Sequence, residues 1–132
     1  MDTVTLFAIA AIVIVLIFDY TNGFHDAANI IAPMIASRAM TPVQAVVLVA
    51  CFEFLGPLLG GTAVANTIGK FINISDVSAI LSVAVVMCGV IGAIFWNILT
   101  WWYGIPSSSS HALVGGLVGA VIAAVGSSSV VW

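Results

Sequence analysis

Long apolar segments with very few charged side chains constrain this 132-residue sequence more than any other feature. A soluble domain has about a quarter of its residues charged, whereas this chain has 5% charged and 63% hydrophobic residues. Because so few charges cannot cover a water-exposed surface, the outer surface must face lipid. The sequence therefore predicts an all-α integral membrane protein, a multi-pass bundle of transmembrane helices in a plasma or inner membrane.

Polar residues interrupt or separate the apolar segments, and two of these segments are shorter than the roughly 20 residues that cross a bilayer core. Gly23 lies in the polar insert that breaks the first segment and can let the backbone unwind. We therefore expect discontinuous or re-entrant helices. The predicted apolar segments are residues 4–18 with a continuation at 27–36, then 43–65, 77–99 and 112–125.

Small and amide side chains inside the apolar segments predict where helices touch. Glycines recur four residues apart in two segments, a spacing that lets transmembrane helices approach closely; the pairs are Gly56 with Gly60 and Gly115 with Gly119. Asn66 and Asn97 are weaker site candidates, and we expect both to form helix-to-helix hydrogen bonds.

Two acids and two amides repeat at a spacing of seven residues in the first polar insert. They are Asp19, Asn22, Asp26 and Asn29, and on a helix all four fall near one face. Charge inside an apolar segment normally faces a cavity or a bundle interior, and hard cations such as Na⁺ prefer oxygen ligands. The pattern indicates a cation site, with a polar loop at the membrane surface as the alternative.

Four consecutive serines, Ser107, Ser108, Ser109 and Ser110, precede His111 and the last apolar segment. Hydroxyl groups and free backbone N–H groups at a helix start, together with the helix dipole, form an anion site. A flexible serine loop is the alternative. His111 is an additional candidate for a hydrogen-bonding or proton-linked role, as is His25 beside Asp26. Ser110 and His111 are adjacent and do not face each other on a helix, so a Ser/His hydrolase is a minor hypothesis.

Glu53 lies deep in the second apolar segment, between two phenylalanines. A carboxyl group at that depth must be protonated, paired or bound to a cation. It is therefore a candidate transport acid, with a hydrogen-bonded structural acid as the alternative. The two basic residues of the chain form no basic patch, so nucleic acid is not an expected partner.

Two motifs, in the same order along the chain, carry a resemblance to the inorganic phosphate transporter (PiT) family. The first is the run from Asn22 to Asn29, with the sequence NGFHDAAN, and the second is the run from Tyr103 to His111, with the sequence YGIPSSSSH. The similarity continues through SRAM at 37–40 and FEFLG at 52–56, so it covers nearly the whole chain. Members have two homologous halves of opposite orientation, and their discontinuous helices meet at a central site.

The resemblance implies symport of inorganic phosphate with Na⁺ or H⁺, with no resident cofactor and no enzymatic reaction. It also implies that Asp26 and Asn29 occupy cation-coordinating positions, with Na⁺ as the candidate metal ion. The four serines would lie beside the phosphate. Glu53 would occupy an acid position that is important for transport.

The second copy of each motif is absent from residues 1–132, which we interpret as a single transmembrane domain and one PiT-type repeat. We expect a fragment, favoured by the uncharged ending, or a half-size protein that pairs with itself or with another half. A passive anion or water pore built from the same segments is an alternative function. The intramembrane acids favour the transporter, because a passive anion pore gains little from carboxylates near its path.

Overall fold

Four α-helices make up most of the computed structural model, which describes residues 2–62, 66–67, 70, 72 and 77–131. The helices are α1 (Thr3–Ala36), α2 (Pro42–Gly60), α3 (Ala79–Trp102) and α4 (Ser109–Ala124), and a short 3₁₀ helix follows at Ser127–Ser129. The first three are long and apolar enough to cross a membrane, whereas α4 is shorter. The all-α membrane fold that the sequence predicts is therefore present.

Helix α1 continues without a break through the polar insert, so the predicted unwinding at Gly23 is wrong. A single glycine inside a helix costs about 1 kcal/mol relative to alanine, which the flanking helical residues outweigh. A helix of 34 residues is roughly 50 Å long, well beyond the roughly 30 Å of a hydrocarbon core. The polar residues from 19 to 29 therefore belong to the middle and second half of one long helix.

Helix α2 begins at a capping box and ends earlier than the apolar pattern predicts. The Thr41 hydroxyl accepts from the Gln44 backbone N–H, and the Gln44 side chain accepts from the Thr41 backbone N–H at 3.1 Å. Such reciprocal bonds satisfy donors that a helix start leaves unpaired. Gly61, at φ +67°, follows the last helical residue, and residues 63–65 of the predicted segment lie outside the described residues.

Helices α3 and α4 form a hairpin whose backbones approach closely at glycines. A side chain on Gly116 would collide with the backbone carbonyl of Gly89, and a Cβ on Gly89 would lie 2.9 Å from the Leu117 Cα. The glycines at this contact are not the pairs that the sequence predicts. A Cβ at Gly56, Gly60, Gly115 or Gly119 would meet nothing within 4 Å, so the predicted pairs form no helix contact among the described residues.

Gly116→Ala is expected to weaken the α3–α4 contact, because its Cβ requires the Gly89 carbonyl to move. Overpacking of this kind typically costs 1–3 kcal/mol. The measurement is the thermal unfolding midpoint of the purified protein in detergent. Gly115→Ala is the matched control on the adjacent residue, where the added methyl group has open space. Equal midpoints for the two variants would contradict this packing.

Helices α3 and α4 both begin at a serine cap and differ by a few residues from their predicted bounds. The Ser78 hydroxyl caps α3, which then runs three residues past Leu99 to Trp102. Helix α3 contacts both α1 and α4 and contains more buried positions than any other described helix, including Val85, Ala93 and Asn97. Helix α2 contacts mainly α1, and only Ala45 and Val49 of its residues are buried. Much of the α2 surface therefore faces outward.

Candidate functional site

The two polar motifs meet where the start of α4 contacts the middle of α1. The Ser109 hydroxyl donates a hydrogen bond to Oδ2 of Asp26 at 2.9 Å, across 83 positions of sequence. Ser109 is 7% exposed, and the Asp26 side chain is 34% exposed. A carboxylate that is only partly covered can accept a further ligand, so this contact is the centre of the candidate site.

The sequence YGIPSSSSH folds so that a serine hydroxyl reaches α1 at this point. Gly104 adopts a positive φ of +63° after α3 ends, which lets the chain reverse without a side-chain clash. The Ser108 hydroxyl then accepts from the His111 backbone N–H and caps α4. The prediction of a serine N-cap is confirmed, and α4 starts at Ser109, two residues before the predicted point near His111.

His25 lies between α1 and α3 and joins Asp26 to the third helix. Its Nδ1 is 3.2 Å from Oδ1 of Asp26, and its Nε2 is 3.3 Å from the Thr100 hydroxyl. His25 is 4% exposed and Thr100 is 2% exposed. The Thr100 hydroxyl also donates to the Trp96 carbonyl at 2.8 Å, which fixes the hydroxyl against α3. Both oxygens of Asp26 therefore have protein partners, one from its own helix and one from α4.

Only part of the predicted cation group comes together. Asn22 is partly buried one turn before Asp26, whereas Asp19 and Asn29 are exposed. Asn29 lines an open cavity of about 340 Å³ together with His25 and Thr100. All four fall near one face of the continuous helix, but among the described residues α3 and α4 bond to this part of α1 through His25 and Asp26. Within the described residues, no three His, Cys, Asp or Glu side chains converge as a metal-binding group.

The serine run divides between two sides of the α3–α4 hairpin. Ser107 accepts from the Trp96 indole N–H at 2.9 Å, and the Ser108 hydroxyl lies 2.8 Å from Nδ1 of His111. These four side chains line a cavity of about 450 Å³ that also borders Gly115 and Gly116. Ser109 instead turns to Asp26, and Ser110 is exposed. The hairpin therefore presents serine hydroxyls both to α1 and to an open cavity.

Glu53 is not part of this junction. It is exposed on α2 and lines a separate groove of about 350 Å³ with apolar side chains of α1 and α2, including Ile30, Met34 and Phe52. Its position inside an apolar span agrees with the sequence analysis. Among the described residues, no side chain forms a hydrogen bond or an ion pair with Glu53.

Sequence analysis missed Thr100 and Trp96 as members of the site. Both lie on apolar α3, where a threonine or a tryptophan gives no pattern that separates a site residue from a packing residue. The one available signal is position along the chain, because Trp96 and Thr100 precede Ser107 by 11 and 7 residues. The predicted helix-to-helix hydrogen bond of Asn97 is wrong, since its side-chain atoms have no partner among the described residues. Asn66 bonds locally to Thr62 at 3.4 Å.

Comparison with known proteins agrees with this arrangement of motifs. A model of the phosphate transporter family matches residues 22–132, which include every residue of the junction. The chain belongs to the phosphate transporter family. With three helices long enough to span a bilayer, this member of the phosphate transporter family is a multi-pass membrane protein. No solved structure matches the chain.

Individual relatives support the family assignment over most of the chain. A probable low-affinity inorganic phosphate transporter from Streptomyces halstedii is 54% identical over 92% of this chain and 55% of its own length. Proteins with the same description from Mycobacterium leprae and Bacillus subtilis are 49% and 42% identical over 98% and 96% of this chain. The chain spans 30% and 37% of those two relatives.

Proposed function

We propose that this chain supplies one PiT-type repeat of a secondary transporter that carries inorganic phosphate together with Na⁺ or H⁺. The observation that carries the proposal is the 2.9 Å contact between Ser109 and Asp26. It joins an acid on a membrane-spanning helix to a serine-capped helix start. A cation ligand and an anion site would then be neighbours, which is the arrangement that coupled transport of two opposite charges requires.

Phosphate would be held by neutral donors and not by cationic side chains. Arg38 and Lys70 are the two basic residues of the chain, and both lie outside the four helices. The first turn of α4 offers backbone N–H groups, the positive end of the helix dipole and the hydroxyls of the serine run. We assign Ser107, Ser108, Ser109 and Ser110 to this role, with His111 beside them.

A cation near Asp26 would supply the coupling between the two ions. Phosphate approaching Ser109 would meet the negative charge of Asp26, and a bound cation would offset that repulsion. Carboxylate and carboxamide oxygens suit Na⁺, so Asp26 and Asn29 are the proposed ligands, and Asn22 contributes from one turn away. Asp19 is a more distant contributor, and His25 offers a proton-binding group if the coupling ion is H⁺.

Further transmembrane segments would complete the transporter, either a second homologous half or another copy of the chain. Glu53 is exposed on a helix that is apolar enough to cross a membrane, and charge that faces lipid is expensive. A neighbouring segment that covers Glu53 would remove that cost. The relatives, of which this chain spans 55% or less in the three cases given, contain additional sequence for such segments.

Uptake into proteoliposomes tests the proposed function. The assembled transporter should accumulate radiolabelled phosphate when an inward Na⁺ or H⁺ gradient is applied, and an ionophore that collapses the gradient should abolish accumulation. Phosphate flux that only follows its own gradient, with no effect of the ionophore, would contradict symport. It would indicate the alternative, a passive anion pore.

A membrane-embedded Ser/His hydrolase is the second candidate, because Ser108 and His111 lie within hydrogen-bond distance. Within the described part of the chain, no carboxylate bonds to His111, so the group that orients the histidine in a Ser–His–acid triad is missing there. Labelling by a serine-reactive fluorophosphonate that Ser108→Ala abolishes would support the hydrolase. We expect no such labelling.

Glu53→Gln is expected to change the cation or pH dependence of uptake while leaving assembly intact, since it keeps the size of the side chain and removes its charge. The measurement is the initial uptake rate across a series of cation concentrations and pH values, at matched protein levels. If the Gln variant fails to assemble and Glu53→Leu restores assembly, Glu53 is an interface residue and not a coupling acid.

A further inference from the structure

Two asparagines, Asn22 on α1 and Asn97 on α3, carry buried polar atoms without a hydrogen-bond partner among the described residues. Asn97 on α3 is 0% exposed, and neither its Oδ1 nor its Nδ2 has a partner. On α1, Oδ1 of Asn22 is also buried and unpaired. These three are the only such side-chain atoms in the part of the chain that the structure describes. Polar atoms removed from water need replacement hydrogen bonds, so this set requires an explanation.

The two asparagines lie at the same level of the helix pair. Thr100 contacts His25, and beyond that contact Asn29 of α1 and Gly104 after α3 line the same cavity. Helices α1 and α3 therefore run past the contact in the same direction. Asn22 and Asn97 each precede the contact residue of their own helix by three positions, which is about one turn. Both therefore lie one turn behind the contact, away from the cavity.

The unpaired atoms consist of two acceptors and one donor. A water molecule can donate to both Oδ1 atoms and accept from Nδ2, which gives the three hydrogen bonds that a buried water typically makes. A cation would bind the two oxygens and leave the Nδ2 donor unpaired, and an oxyanion would do the reverse. The donor and acceptor pattern therefore favours water over either transported ion.

The contact between His25 and Thr100 separates this level from the open cavity. Both side chains are almost fully buried, and neither asparagine lines that cavity. We propose that Asn22 and Asn97 form an occluded water site between α1 and α3, closed on the cavity side by His25 and Thr100. The site joins the helix that carries Asp26 to α3, and it stands whether or not the chain transports phosphate.

Thermal unfolding of the purified protein in detergent tests the site, measured in NaCl and in choline chloride. Asn97→Leu removes the donor and one acceptor at similar volume, and we expect the midpoint to fall by about 2–8 °C. The double variant with Asn22→Leu should unfold no lower than Asn97→Leu alone, because the first change already releases the water. The difference between the midpoints in the two salts should be the same in Asn97→Leu as in the wild type. Thr5→Leu, an exposed control on α1, should change the midpoint little.

Three outcomes would overturn the proposal. If the unfolding midpoint of Asn97→Leu is raised or unchanged, the Asn97 amide binds no water, because an apolar side chain is then at least as stable at that position. If Na⁺ raises the midpoint relative to choline in the wild type but not in Asn97→Leu, the asparagine site holds a cation and not water. If Asn97→Leu does not fold, Asn97→Ser keeps a donor and an acceptor with room for water. A loss of more than about 2 °C in that variant would then count against the site.

Discussion

Asp26→Asn is expected to lower cation-driven phosphate uptake by about 10- to 100-fold. The substitution keeps the shape of the side chain but removes the negative charge, and it replaces one of the two acceptor oxygens that face His25 and Ser109 with an NH₂ donor. A hydrogen bond or ligand contact to a charged group contributes about 1.5–3 kcal/mol, and each 1.4 kcal/mol is a factor of ten. The measurement is the initial uptake rate as a function of cation concentration, at matched surface expression.

Asp19→Asn provides the matched control for this experiment. It is the same chemical change on the same helix, two turns earlier, at an exposed residue. We expect it to change uptake less than about threefold, because an exposed charge two turns away interacts weakly with the site. If Asp26→Asn retains the cation dependence of the wild type, Asp26 is not a cation ligand and the coupling scheme is wrong.

Replacing both Ser108 and Ser109 by alanine is expected to raise the half-saturating phosphate concentration at least about tenfold. Each hydroxyl that bonds to an anion contributes about 1.5–3 kcal/mol, and the loss of two exceeds the 1.4 kcal/mol that corresponds to a factor of ten. Cation binding in the absence of phosphate should change little. The measurement is phosphate uptake or binding by the assembled transporter across a phosphate titration.

Two variants separate a lost ligand from a damaged helix. Ser108 is the N-cap of α4, and loss of an N-cap costs about 1 kcal/mol, so a Ser108→Thr, Ser109→Thr pair that keeps both hydroxyls should restore most of the affinity. Ser110→Ala, at an exposed position in the same turn, should have the smaller effect. If the Ser108→Ala, Ser109→Ala variant keeps the half-saturating phosphate concentration of the wild type, these serines only begin a helix and do not bind phosphate.

The sequence was sufficient to predict the membrane class and both motifs, because these depend on composition and on local spacing. The serine cap of α4 follows from the preference of helix starts for side-chain oxygens and was predicted to within two residues. The continuity of α1 was not predictable in the same way. Gly23 taken alone favours local unwinding of the backbone. Helix α3 packs along that stretch of α1 through His25 and Thr100 and keeps it helical.

Long-range pairing accounts for the remaining differences. Nothing local distinguishes Gly116, which touches Gly89, from Gly115, which touches nothing. Their roles depend on which face of α4 meets α3. Likewise, the sequence places Asn97 on an apolar helix but does not reveal that its amide is fully buried. Such contacts depend on helix rotation, and a shift of one residue rotates a side chain by about 100°.

Calorimetric titration of phosphate into the purified, assembled transporter, with and without Na⁺ and at two pH values, tests the central claim most directly. The claim is that Asp26 and the start of α4 form one site in which a cation and phosphate support each other. We expect the coupling cation to tighten phosphate binding by about 5- to 150-fold in the wild type, the usual range for coupled sites. In Asp26→Asn this effect should nearly vanish. If the cation tightens phosphate binding equally in the wild type and in Asp26→Asn, the claim is contradicted and the cation binds away from Asp26.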